Sequence, residues 1–172
     1  MRTHYKVVLG VLSGCVSLWA MADCLNVQGQ AETQSLVEYV NNQVVQVQVG
    51  NLTMVPVPGP GSVPKFRAVF GQNFLAGGIR GEINSQGPTT VYLRHEIGFP
   101  GVGSVITSQD TAEITHMDPN GLLTVKEFLN IVGAQNGGLF TGWTGTLEAD
   151  GVLDLQKGVN TFSYAGQLCK GP

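Results

Sequence analysis

Two cysteines, Cys24 and Cys169, stand near opposite ends of the chain, and no other feature limits its folding so strongly. A bridge between them requires their Cα atoms to come within about 7 Å. The first and last elements must then be neighbours. In the chain-entropy model a closed loop of that length stabilises a fold by about 5 kcal/mol, an upper figure. The alternative is two free buried thiols. The bridge is expected because the third cysteine, Cys15, lies in a leader, and an even count in an exported chain is a disulfide pattern.

The leader reads as a signal peptide over residues 1–22. Arg2 and Lys6 form its basic start, an apolar run covers 7–19, and Ala20-Met21-Ala22 places cleavage before Asp23. The run is too short for a membrane-spanning helix, and no later segment approaches one. Leu12-Ser13-Gly14-Cys15 supplies a competing reading, a lipobox that anchors the protein to the cell envelope through Cys15. Either way the chain is exported, as a periplasmic, secreted or lipid-anchored protein.

The mature chain, 23–172, has the length of a single domain. The whole chain carries a net charge of -3, and losing Arg2 and Lys6 leaves seven basic against twelve acidic residues. That balance excludes nucleic acid as a natural partner. With 24 glycines and only 12% charged residues, strands and tight turns are favoured over a salt-bridged helical bundle. Strands are expected near 25–32, 42–50, 66–70, 78–83, 89–99, 104–114, 122–132, 138–147, 152–155 and 160–168. In the second of these Val45, Val47 and Val49 share one face, with Gln46 and Gln48 on the other. A single helical turn is expected at 35–41, and a proline-rich surface loop at 56–64. Asp118-Pro119-Asn120-Gly121 and Ala149-Asp150-Gly151 favour hairpin turns. Short strands at this spacing suggest a sandwich or a barrel. Joined termini favour the barrel: one antiparallel β-barrel of about eight strands, first beside last.

Several residues invite a chemical reading. Leu123, Val125, Glu127, Leu129 and Ile131 share a strand face, so Glu127 interrupts an apolar row. His95 does the same among Val91, Leu93 and Ile97. If both rows line a lumen, burial raises the carboxyl pKa and the imidazole exchanges protons near neutrality. Such a pair can act as general acid and base. The plainer alternative is two satisfied buried polar groups, or a register slip that turns both outward. Tyr92, Arg94 and Glu96 fall on the opposite, solvated face. Trp143, Phe162 and Tyr164 form aromatic faces that either line a ligand site or fill the core.

Residues 116–128 resemble a calcium loop through Asp118, Asn120, Gly121 and Glu127, but His116 occupies the first ligand position and both flanks alternate like strands. A hairpin turn is the expectation there. Asn51-Leu52-Thr53 is a glycosylation sequon. A nucleophile elbow, a phosphate loop and a cluster of zinc ligands are not found, and no metal is expected.

Phe128-Leu129-Asn130-Ile131-Val132-Gly133, then Gly137-Gly138-Leu139-Phe140 and Gly142-Trp143-Thr144-Gly145, give an apolar strand, a glycine-rich turn and paired glycines. With the closing Phe162-Ser163-Tyr164-Ala165-Gly166-Gln167-Leu168, residues 89–169 resemble the allene oxide cyclase and dirigent-like barrels, including small exported bacterial relatives. Here Ala134-Gln135-Asn136 lengthens a turn that is tighter in those relatives, and no catalytic residue of theirs matches a position in this chain. The resemblance implies an eight-stranded barrel around an apolar cavity, commonly a homo-oligomer, working without a cofactor. The leading expectation is therefore an exported barrel that binds an apolar small molecule, with isomerase or cyclase chemistry at His95 and Glu127. The alternative is a structural or adhesive surface protein with a packed, ligand-free lumen. Joined termini argue against donated-strand assembly, which needs an exchangeable N-terminal segment.

Overall fold

The computed structural model describes residues 23–171. The leader, cleavage before Asp23 and lipidation at Cys15 lie outside the described residues. From Asp23 onward the chain forms nine antiparallel strands and one short helix. The strands are β1 (Asp23–Val40), β2 (Gln43–Pro56), β3 (Leu75–Gln86), β4 (Thr90–Phe99), β5 (Gly103–Thr107), β6 (Asp110–Met117), β7 (Leu122–Gly138), β8 (Trp143–Asp154) and β9 (Val159–Lys170). The helix, α1 (Ser62–Phe70), joins β2 to β3.

The strands pair in chain order, and β9 returns to β1, so the sheet closes into a ring. Two short strands, β5 and β6, lie end to end in the one gap between β4 and β7. They replace the single strand expected at 104–114. The break falls at Ser108-Gln109, where Gln109 takes a φ of 59°. Cys24 and Cys169 are opposed in the β1–β9 register and joined by a disulfide, with Cα atoms 4.0 Å apart. The ring is thus fastened at the seam the cysteine positions require.

Alternation sorts side chains as expected in the best-defined strands. On β7, Leu123, Val125, Glu127, Leu129 and Ile131 are buried and their neighbours exposed. On β4, Leu93, His95, Ile97 and Phe99 point in, while Tyr92, Arg94 and Glu96 point out. The valine face expected on β2 is a partial exception. Val47 is buried, yet it is Gln48 that shares the face of Gly81 and His95 through direct cross-strand pairing.

Four other expectations are corrected. Residues 66–70 are helical rather than extended: Phe66 and Phe70, one helical turn apart, both reach the core. Pro64 falls in the first turn, where its missing N–H costs nothing. Gly71, at φ 73°, ends the helix by donating to the Arg67 carbonyl at 2.8 Å. The proline-rich loop is consequently shorter than 56–64. Residues 35–41 are the far end of β1, paired with β2 down to Val40 and Gln43. Residues 138–147 and 152–155 are replaced by the single strand β8, and the glycine-rich stretch before it continues β7.

The ring has two unlike ends. At one, α1 packs its phenylalanines inward: the Phe70 ring lies 5.0 Å from Phe140 and 6.0 Å from Trp143. Lys65 of α1 donates to the Cys24 carbonyl at 2.9 Å, beside the disulfide. At the other end β1 and β2 outrun their neighbours. Beyond Gln34, β1 has no β9 partner, and before Val47, β2 has no β3 partner. Residues 35–46 therefore project as a two-stranded arm, tied to β3 by Arg80 and Glu38 at 2.8 Å. Among the described residues no helix is long and apolar enough to cross a membrane.

Candidate functional site

The break between β5 and β6 creates the site. Two residues, Ser108 and Gln109, are looped out, so Thr107 and Asp110 both stay inside, each fully buried. Asp110 replaces missing strand pairing with its side chain: Asn130 of β7 donates its backbone N–H to Oδ1 at 2.8 Å. The Thr107 hydroxyl accepts the His95 backbone N–H at 2.6 Å and donates to Asp110 Oδ2. The same oxygen lies 2.7 Å from His95 Nδ1. Asp110 can only accept, so Nδ1 carries the hydrogen and Nε2 is left to face the lumen.

Opposite Nε2 stands Glu127. Its Oε1 lies 3.3 Å away but outside hydrogen-bond geometry, and it has no hydrogen-bond partner among the described residues. Asp110, His95 and Glu127 therefore form a row, held firmly at one end and open at the other. Room for the imidazole comes from Gly81, its direct cross-strand partner on β3; a Cβ there would sit 2.7 Å from Nε2.

Electrostatics bind protons tightly here. Burial pushes the Glu127 pKa up, and Asp110 adds to this, while the charge on His95 works against it. For His95, burial pulls the pKa down, but the hydrogen bond to Asp110 and the charges of Glu127 and Asp110 outweigh it, so the net direction is up. Both groups hold a proton to higher pH than they would in water.

A cavity of about 30 Å³ borders His95, Glu127, Gln48, Gly81, Phe162 and Tyr164, space for a water or two. A mouth of about 300 Å³ opens beyond it toward the arm, and the two share Gln48, Glu127 and Phe162. A larger groove, about 920 Å³, crosses the outer face past Asn51, Asp150 and Ser163, and it touches none of the buried row.

His95 and Glu127 are thus brought together, with Phe162 and Tyr164 lining the same cavity. The Tyr164 hydroxyl donates to the Thr53 carbonyl at 2.6 Å, and burial raises its pKa. Trp143 is not part of this site; it lies in the α1 end against Phe70. The calcium-loop resemblance dissolves into a hairpin turn between strands. Asn120 donates to Asp118 there at 2.6 Å, while Glu127 is turned into the ring. Asp110, Thr107, Gln48 and Gly81 join the site without having stood out in the sequence. The burial phase slips by one at the break: Val105 and Thr107 are inward at odd positions, Asp110 and Ala112 at even ones, because two residues stand where one would alternate. No family model matches the sequence, and neither a curated protein nor a solved structure shows significant similarity to the chain.

Proposed function

We propose that this is an exported barrel of the allene oxide cyclase and dirigent-like kind that binds an apolar small molecule and rearranges it by proton transfer, without a cofactor. The observation that carries the reading is Glu127 Oε1: buried, unpartnered among the described residues, 3.3 Å from His95 Nε2 and on the border of both cavities. A buried polar atom left without a partner costs about 1–3 kcal/mol, and a guest group supplies the missing partner. The bridged cysteines support export.

In this reading His95 and Glu127 are the catalytic residues, and Asp110 is a positioning residue that holds the imidazole through Nδ1. The unprotonated member of the pair takes a proton from a carbon of the guest, and the protonated member returns one at a second atom. Protons gained and lost cancel, so an isomerisation or ring closure needs no oxidant. Apolar walls fix one conformer of the guest and exclude water.

Native mass spectrometry of the unreduced protein from its host's cell envelope tests the reading, followed by incubation in deuterated water. An added small-molecule mass that gains deuterium, with the gain lost in Glu127→Gln, is the expected result. A bare chain would overturn the proposal in favour of a packed structural ring. A guest that never exchanges would reduce the protein to a carrier.

A further inference from the structure

The walls of the mouth restrict both the charge and the shape of a guest. Val91, Leu93, Ile114, Leu123, Val125 and Leu153 border it, with glutamine amides at the rim. Glu127, at the floor, is the one ionisable side chain on that wall among the described residues; no lysine, arginine or histidine lies there. An anionic guest would meet no lysine or arginine on that wall. The imidazole beyond it, His95, is already flanked by the carboxyl groups of Asp110 and Glu127, so a further anion is costly at low dielectric.

The wall does not stop at the rim. Ala31 and Thr33 of β1 border the inner cavity. Every second residue further along the same strand gives Ser35, Val37 and Tyr39, with Gln46 and Val44 directly opposite the last two. The inner face of the arm therefore carries Val37, Tyr39 and Val44 beside the polar Ser35 and Gln46, and the three larger apolar side chains are 60%, 80% and 63% exposed. From Thr33 to Tyr39 a strand runs about 20 Å. Isolated exposed apolar residues are ordinary; a row continuous with a buried cavity marks a binding track.

Resting on the function proposed above, we infer that the guest is an uncharged, elongated aliphatic molecule. Its reactive end meets Glu127 and His95, and its tail leaves through the mouth along Val37, Tyr39 and Val44.

Calorimetric titration of the full mature protein with three probes tests this: a twelve-carbon methyl ketone, its six-carbon homologue and the twelve-carbon carboxylate. At neutral pH the long ketone should bind at least about tenfold more tightly than either of the others. In a Val37→Ser, Val44→Ser double variant, whose altered side chains are exposed, the long ketone should fall to the affinity of the short one. The short ketone should be unchanged. Equal binding of ketone and carboxylate would overturn the uncharged class. Unchanged length preference in the double variant would overturn the tail's path, as it would if a second copy of the chain covered the arm. If no probe binds while the variant stays folded, the small-molecule reading itself fails, and this inference with it.

Discussion

At the scale of residues, the row from Asp110 to Glu127 sets how stability responds to pH. Glu127 and His95 both have folded pKa values above their ordinary 4.5 and 6.5. The native state then holds more protons than the unfolded chain over the window that starts near those values and extends upward. Stability is full below it and falls as pH rises through it. Urea midpoints measured from about pH 5 to about pH 8 should therefore decline in the natural protein and decline less in Glu127→Gln. Identical slopes would show that Glu127 titrates normally. Gly81 makes a second prediction at this scale. Gly81→Ala must displace the imidazole or the strand, an overpacking cost of about 1–3 kcal/mol, and it should move the His95 ring resonances in an NMR spectrum. Unmoved resonances would mean that the ring does not lie over Gly81. His95 and Glu127 are legible in the sequence because each breaks an apolar row on a regular strand. Asp110 is hidden because strand-period reasoning assumes one phase from 104 to 114, whereas two residues stand between Thr107 and Asp110 where one would alternate, which shifts the phase by one.

Among elements, legibility follows length and periodicity. β7 can be placed from its alternation, since eleven successive residues keep one phase. α1 cannot: a nine-residue segment with four prolines before or within it looks like a broken strand until Phe66 and Phe70 are seen as one helical turn. The β1 half of the arm, from residue 35 to Val40, escapes detection for a different reason. Beyond Gln34 it pairs only with β2 and its side chains are mostly exposed, so no buried face imposes alternation on that stretch. The helix itself is held to the ring mainly by aromatic packing. Phe66→Ala should lower unfolding free energy by about 3–5 kcal/mol, read from denaturant midpoints, without changing affinity for the twelve-carbon ketone at the far end. Loss of binding alongside a small stability change would show that the two ends are coupled.

For the whole molecule, the disulfide reports on the ring. Cys24→Ser with Cys169→Ser should cost about 2–5 kcal/mol, measured against the oxidised protein, while far-ultraviolet circular dichroism stays strand-like. A negligible cost would mean that β1–β9 pairing alone fixes the seam. The cysteine positions make that seam readable from the sequence, although not that α1 covers the same end. The seam also has a consequence for biosynthesis. β1 is synthesised first and β9 last, so the ring cannot close until β9 has been made. Until then β1 and β8 both present naked edges, open to pairing with any other strand, and contacts so distant in sequence form slowly. A chain clipped before β9 would keep those edges permanently. Because Cys169 lies on β9, bridge formation certifies that the last strand has found the first.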